Sequence, residues 1–162
     1  MKYLAAIILI TICNTSGMAL EIKTVITIHA TLNKVWEILT NFKAYPEWNS
    51  FIKSIKGQVL VGEKISARIE PPNAKGMTFK PKIVTFIKNK ELSWVGHLLF
   101  PSLFDGKHKF ELIDKGNGTL TFIQSEIFSG ILVALFKKKL KINTKNGFVA
   151  ISLAPNKFGV LF

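Results

Sequence analysis

The residues of this chain that could carry chemistry are three histidines, one cysteine and a few carboxylates. In a strand, the side chain of His108 shares a face with Phe110 and Leu112. Pairing of this histidine with Asp105 or with Glu126 of a neighbouring strand would give an arrangement used in general acid-base catalysis. A hydrogen-bonded structural histidine is the more ordinary explanation. His108 and Glu126 are therefore weak catalytic candidates, and whether the protein is an enzyme stays open.

Other reaction chemistries lack their usual residue patterns. The sequence contains no HExxH, GxSxG or P-loop motif and no close pair of histidines. We therefore expect no metal and no cofactor. Cys13 is the single cysteine and lies in an apolar N-terminal segment. A chain without that segment would have neither a disulfide nor a thiolate nucleophile.

The N-terminal segment, residues 1–19, has the composition of a secretory signal peptide. One lysine precedes an apolar run over residues 3–12, and Gly17 and Ala19 supply the small residues that a signal peptidase needs. Cleavage after Ala19 would leave one domain over residues 20–162, exported to the periplasm or secreted. The alternative is an uncleaved membrane anchor, although the apolar run is short for a bilayer span.

The charge of the chain favours anionic partners. It has 22 basic and 10 acidic residues, a formal net charge of +12. The predicted export signal argues against nucleic acid, which leaves an anionic membrane surface as the candidate macromolecular partner. Lysines scattered along strands are also explained as a solvated surface. We expect a monomer.

The elements that position these residues begin with a strand, a helix and an aromatic turn. Residues 21–29 and 64–70 alternate between apolar and polar with period two, which predicts half-buried strands. Between them, Thr31 is suited to cap a short helix and Pro46 to end the helical run. The apolar face of this helix consists of Val35, Ile38, Leu39 and Phe42, and three rings follow it at three-residue spacing, namely Tyr45, Trp48 and Phe51.

The second half of the chain predicts a meander and a long helix. Turn residues at 71–76 precede strands near 78–88, 91–99, 107–114 and 119–128. A helix of about five turns then runs from near Ser129 to Pro155. Its predicted inner face consists of Leu132, Leu135, Phe136, Leu140, Thr144, Phe148 and Ile151. This order of elements is an α+β layout.

Several of these segments together resemble one protein superfamily. The chain resembles the START-like, Bet v 1-like (SRPBCC) superfamily, specifically its bacterial polyketide cyclase/dehydrase and lipid transport group. The resemblance is carried by residues 35–39, 45–51, 76–82 and 104–112. The resemblance covers about residues 21–153. It implies a helix-grip fold, in which a curved antiparallel β-sheet wraps around a long C-terminal α-helix, with a short helix or helix pair after the first strand.

The resemblance also implies a function in an internal cavity. We expect non-catalytic binding or transport of a hydrophobic small molecule, such as a lipid, a fatty acid or a polyketide-like compound. The alternative is a polyketide cyclase/dehydratase-type enzyme that uses the same cavity. The interior aromatics would otherwise only fill a dry core. The candidate ligand-binding residues are Trp48, Phe51, Phe79, Ile83, Trp94, His108, Phe110, Phe128, Leu132, Leu135 and Phe136.

One region departs from the pattern of the group. Related chains usually continue the last helix beyond a glycine and a phenylalanine into a polar end, whereas here Gly147 and Phe148 are followed by an apolar stretch at 149–153 and by Pro155. The last residues, 156–162, are also mostly apolar. A protein-interaction module that uses this tail as its contact is therefore a third hypothesis.

Overall fold

Antiparallel strands form the frame of the protein in the computed structural model, which describes residues 9–13, 19–70 and 75–152. In chain order the strands are β1 (Leu9–Cys13), β2 (Ala19–Ile28), β3 (Ile52–Lys56), β4 (Ser66–Ile69), β5 (Met77–Phe79), β6 (Lys82–Ile87), β7 (Glu91–His97), β8 (Asp105–Asp114) and β9 (Leu120–Ser129). The helices are α1 (Leu32–Thr40), α2 (Tyr45–Trp48) and α3 (Val133–Ser152), and a 3-10 turn at Phe42–Ala44 lies between the first two.

The strands form two sheets. The larger has six strands in the order β1-β2-β9-β8-β7-β6, and the smaller has three in the order β3-β4-β5. An isolated bridge between Lys64 and Lys82 connects their borders. The long helix α3 packs against β2 and β9 of the larger, curved sheet. This arrangement confirms the predicted α+β helix-grip fold.

Period-two alternation decides which face of the larger sheet is buried. In β2 the even-numbered residues from Leu20 to Ile28 are buried, and the odd-numbered residues between them are more exposed. The ten residues of β2 pair in continuous register with β9, and β9 pairs in the same way with β8. Directly paired residues share a face of an antiparallel sheet. The inner faces of the three strands therefore form one continuous surface toward α3.

The segment from Thr31 to Trp48 folds as a capped helix followed by a second short helix. The Thr31 hydroxyl accepts a hydrogen bond from the backbone N–H of Lys34, at 3.3 Å. The prediction that Pro46 ends the helical run is wrong, because α1 ends at Thr40. Pro46 instead lies in the first turn of α2, where backbone N–H groups have no acceptor within the helix, so a proline is tolerated.

The turn is held by the hydroxyl of Tyr45. This hydroxyl donates a 2.7 Å hydrogen bond to the backbone carbonyl of Leu39, at the end of α1. Burial raises the pKa of Tyr45 far above its usual value. The ring packs against Phe42 and Trp48. The aromatic spacing seen in the sequence therefore joins α1 to α2.

The secondary structure differs from the sequence prediction in three main places. Strand β3 was not predicted. The strand predicted at 78–88 is divided between β5 and β6, which lie in different sheets, because the proline at 81 cannot donate to a ladder. Helix α3 begins at Val133 rather than near Ser129, after a turn at Gly130 with φ of 112°.

Some sequence predictions fall on residues outside the described ranges. They are the turn residues at 71–74, the apolar tail at 156–162 and most of the predicted signal peptide. Two parts of the predicted signal peptide are described. Strand β1 pairs antiparallel with β2, and Ala19 is the first residue of β2. Cleavage of the signal and export of the domain stay predictions.

Replacing Gly147 with alanine is expected to lower the free energy of unfolding by up to about 2 kcal/mol. An added Cβ would lie 2.7 Å from the ring of Phe51, so the ring or the helix must move. Overpacking of this kind costs about 1–3 kcal/mol, more than the roughly 1 kcal/mol by which alanine favours a helix over glycine. Urea denaturation measures the change. In a Phe51→Ala background the same substitution should become neutral or stabilising, and an unchanged penalty there would refute the contact.

Candidate functional site

A row of polar side chains crosses the otherwise apolar inner face of the larger sheet. Strand pairing places Thr24 of β2 opposite Gln124 of β9, and Glu126 of β9 opposite His108 of β8. The next strand adds Trp94 opposite His108. Thr24, Gln124 and His108 are all buried. The row therefore lies inside the fold, beneath α3.

His108 is held by contacts on both of its ring nitrogens. Its Nδ1 lies 2.5 Å from Oε2 of Glu126, and its Nε2 lies 3.5 Å from the amide nitrogen of Gln124. The ring also stacks on Trp94, with centroids 4.9 Å apart and planes at 14°. The carboxylate and the indole together fix both the position and the orientation of the imidazole.

The same histidine lies between two apolar clusters. The larger cluster contains Trp94 and Phe110 and extends through α1 to the smaller sheet. The smaller cluster contains Phe128 and Phe148 and is completed by other residues of β2 and α3. The His108 ring makes edge contacts with Phe110 at 4.6 Å and with Phe148 at 5.7 Å. His108 and its polar neighbours thus divide the buried interior into two parts.

Two polar atoms of the row have no hydrogen-bond partner within the described part of the chain. They are Oε1 of Gln124 and Oγ1 of Thr24, on side chains that are opposite each other. A buried polar atom that lacks a partner costs about 1–3 kcal/mol. Native interiors rarely retain such atoms without a water, a ligand or a functional reason. The pair therefore offers hydrogen-bonding capacity to a molecule in the interior.

The arrangement determines which groups can be recognised there. When the imidazole is neutral and its Nδ1–H donates to Glu126, its Nε2 is an acceptor that faces the amide of Gln124. Oε1 of Gln124 is then free to accept from a hydroxyl, and the hydroxyl of Thr24 can donate or accept. A hydroxyl or carbonyl group on an otherwise apolar molecule would match this row.

The structure brings together some of the predicted ligand-binding residues. Trp94, His108 and Phe110 contact one another, and Ile83 is paired with Trp94. Phe128 lies on the same inner face in the smaller apolar cluster. Trp48 is buried in the larger cluster. Ile83, Trp94 and Phe110 therefore lie beside the polar row, whereas the ring of Trp48 contacts Tyr45 within the same cluster.

Others of the predicted residues lie elsewhere. Leu135 and Phe136 are exposed, so their predicted place on the inner face of α3 is wrong. Val133 is the buried residue in the first turns of this helix. Leu132 is only partly buried, and so is Phe79 on the smaller sheet. Phe51 is partly buried against the larger apolar cluster and lies beside Gly147 of α3.

The alternatives for the carboxylate beside His108 are resolved in favour of Glu126. Asp105 instead pairs with the exposed His97, at 2.6 Å, and accepts hydrogen bonds from the backbone N–H of Ser102. Desolvation is the largest single influence on the pKa of Asp105 and acts to raise it, but the hydrogen bonds from His97 and Ser102 and the charge of His97 together outweigh it and lower that pKa. Asp105 therefore anchors a surface loop.

Sequence reasoning missed Gln124, Thr24 and Phe148 as site residues. The signal for Thr24 and Gln124 is present in the alternation of β2 and β9, where polar residues occupy positions that the period-two pattern assigns to the buried face. Phe148 had been placed on the inner face of the last helix but not in the site. A polar residue in a buried register is a sign of function or of a hydrogen-bonded network.

Among residues 9–13, 19–70 and 75–152 there is no group of three or more histidine, cysteine or acidic side chains that could hold a metal ion. Within the same ranges, none of the helices combines the length and the apolar character needed to cross a membrane.

Comparisons with known proteins agree with this architecture. The family model described as polyketide cyclase / dehydrase and lipid transport matches residues 19–148. No curated protein matches the sequence. The Zhui aromatase/cyclase from Streptomyces sp. R1128 is similar in structure, with a TM-score of 0.68 at 9% identity over 86% of this chain and 93% of that one.

Two further solved structures have the same fold. A START superfamily protein from Mycobacterium smegmatis gives a TM-score of 0.63 at 14% identity, over 86% of this chain and 99% of that one. The di-domain ARO/CYC StfQ from the steffimycin biosynthetic pathway gives 0.63 at 10% identity, over 88% of this chain. The match spans about half of that longer protein, 52% of its chain. The predicted superfamily resemblance is confirmed.

Proposed function

The chain belongs to the polyketide cyclase/dehydrase and lipid transport family, and from this premise we propose that it binds or transports a hydrophobic small molecule between the curved sheet and α3. The ligand class is a lipid, a fatty acid or a polyketide-like compound. In this proposal the protein binds its ligand without catalysing a reaction. Action outside the cytoplasm rests on the predicted signal peptide alone.

The observation that carries this proposal is the buried polar row in an apolar interior. A protein that only needed a core would be more stable with apolar residues at positions 24 and 124, because their unpartnered oxygens cost free energy. Binding sites for small molecules combine apolar walls with a few polar groups that orient the ligand. The Thr24, Gln124 and His108 row has this composition.

Apolar contact would supply most of the affinity. Each CH₂ group transferred from water contributes about 0.8 kcal/mol, so a long acyl chain is bound tightly without a specific motif. Aromatic side chains from both apolar clusters surround His108 and would contact such a chain. The polar row would then fix which end of the molecule lies beneath α3.

Replacing Gln124 with leucine tests the functional role of the row. We expect the variant to be about as stable as the wild type, because the gain of about 1–3 kcal/mol from removing an unpartnered buried oxygen is offset by the loss of the 3.5 Å contact between the Gln124 amide and Nε2 of His108. We also expect it to bind the ligand about five- to tenfold more weakly and to carry less of it, since losing a hydrogen bond to a bound polar group costs about 1–1.5 kcal/mol. Thermal denaturation and native mass spectrometry of the purified protein measure the two effects.

The neighbouring Ser125 provides the matched control. It is also buried, but it lies on the opposite face of β9, paired with Lys23 and Lys109. Ser125→Ala should leave ligand retention unchanged. If Gln124→Leu were strongly destabilised and kept its ligand, Gln124 would be structural and the proposal would lose its main support.

A cyclase or dehydratase activity is the second candidate function. The contact between His108 and Glu126 favours it, because a carboxylate on Nδ1 holds the imidazole so that Nε2 can exchange a proton with a bound molecule. Turnover is measured as the rate of product formation when the protein is incubated with a reactive polyketone chain. Glu126→Gln should keep ligand binding and abolish turnover if the protein is an enzyme, and equal product formation with and without protein would exclude this reaction.

A further inference from the structure

Exposed apolar side chains gather where the loop after β7 meets the start of α3. The loop, residues 98–104, reads LLFPSLF and contains no charged residue. Leu99 is 83% exposed and Leu135 is 75% exposed. We name this surface the apolar tip and define it by Leu99, Phe100, Ile131, Leu135 and Phe136, all of which are exposed. Soluble proteins seldom expose so many large apolar side chains together without a binding role.

Backbone hydrogen bonds join the two segments into one unit. The N–H of Ile131 donates to the carbonyl of Ser102 at 3.2 Å, and the N–H of Leu132 donates to that of Leu103 at 3.1 Å. Gly130 lies so close to Leu103 that an added Cβ would be 2.7 Å from its carbonyl oxygen. The exposed apolar residues of the loop and of the helix are therefore presented side by side.

The loop is held in a fixed shape despite its exposure. Leu99 and Ser102 have positive φ angles of 67° and 68°, which are unfavourable for residues other than glycine. Asp105 holds the base of the loop through the backbone N–H of Ser102 and the ring of His97. A strained but anchored loop that displays leucine and phenylalanine to solvent is a preformed contact surface.

Positive charge adjoins the apolar tip. Lys137, Lys138 and Lys139 directly follow Phe136, and α3 carries five lysines and no acidic residue. The formal charge of the whole chain is +12. Apolar side chains beside lysines match the interface of an anionic bilayer, in which rings and aliphatic chains enter the headgroup region and ammonium groups contact phosphates. A second copy of this chain would instead bring its own lysines against these.

We infer that the apolar tip and the three lysines form a docking surface for an anionic lipid membrane. This inference goes beyond ligand binding and does not depend on what the interior holds. Apolar insertion would supply attraction that salt does not screen, whereas the lysines would supply the preference for anionic lipid and a partial dependence on salt.

Vesicle flotation with the full chain tests the inference. Vesicles of phosphatidylglycerol mixed with phosphatidylcholine should bind the protein at least about tenfold more strongly than vesicles of phosphatidylcholine alone. Variant Leu99→Ser/Phe100→Ser/Leu135→Ser and variant Lys138→Glu/Lys139→Glu should each lose at least about tenfold of the binding to the anionic vesicles. All altered side chains are exposed, and circular dichroism checks that both variants are folded.

Matched controls lie at the opposite end of the sheet. Ile87→Ser/Ile113→Ser removes exposed apolar residues there, and Lys88→Glu/Lys90→Glu reverses the same number of charges in the β6–β7 turn. Both controls should bind vesicles as the wild type does. Equal loss in the controls, or unchanged binding of the tip variants, would overturn the inference. The inference would also be overturned if the wild type bound no vesicles but self-associated, and if the tip variants abolished that self-association.

Discussion

Replacing His108 with alanine is expected to lower the free energy of unfolding by about 3–5 kcal/mol and to abolish ligand retention. The substitution leaves the largely buried carboxylate of Glu126 without its hydrogen-bond partner, which costs about 1–3 kcal/mol, and truncating a buried ring adds the cost of a cavity. It also removes ring contacts with Trp94, Phe110 and Phe148. Urea denaturation gives the stability, and native mass spectrometry gives the bound ligand.

The second histidine-carboxylate pair provides the control. His97 and Asp105 are 2.6 Å apart, almost the same distance, but the His97 side chain is 42% exposed. Exposed pairs contribute about 0–1 kcal/mol, so His97→Ala should change the stability by no more than that. If both alanine substitutions had the same small effect, the buried pair would not hold the interior together.

Replacing Phe110 with alanine is expected to cost about 3–5 kcal/mol in the free energy of unfolding. Phe110 is fully buried, and its ring contacts Trp94, His108 and Phe122 at centroid distances of 4.6–5.7 Å. Its removal leaves a cavity beside the polar row that rigid strands on both sides can fill only in part. Thermal and urea denaturation measure the loss.

The matched control is Ile113→Ala on the same strand. Ile113 lies near the end of β8 and is 46% exposed, so this change should cost less than about 1 kcal/mol. A Phe110→Ala penalty no larger than that of Ile113→Ala would mean that the inner face is loosely packed. If the inner face is loosely packed, native mass spectrometry should show that the Phe110→Ala variant binds a bulkier ligand than the wild type does.

The fold was predictable because local patterns and the overall architecture agree. The alternation of β2, the helix after Thr31 and the aromatic residues at 45–51 each specify an element, and together they resemble one family. Strand β3 was missed because five residues with one short alternation give little periodicity. The division between β5 and β6 at the proline could have been found from its missing N–H.

The site was only partly predictable, because pairing between distant strands is not a local property. The sequence placed His108 on an apolar face but left both Asp105 and Glu126 as partners, and only the register of β8 against β9 selects Glu126. Helical periodicity assigned Leu135 to the interior. In the structure Val133 is the buried residue of the first turn of α3, and Leu135 lies about 200° around the helix axis from it, so Leu135 is exposed.

Native mass spectrometry of the wild type and of Gln124→Leu, purified in parallel, tests the central claim most directly. The account predicts a hydrophobic molecule bound in stoichiometric amount to the wild type. It also predicts a clearly lower occupancy in a variant that is about as stable as the wild type, because the unpartnered oxygen of Gln124 serves the ligand rather than the fold. A wild type that is empty in repeated preparations, or a variant that retains the full complement, would contradict it.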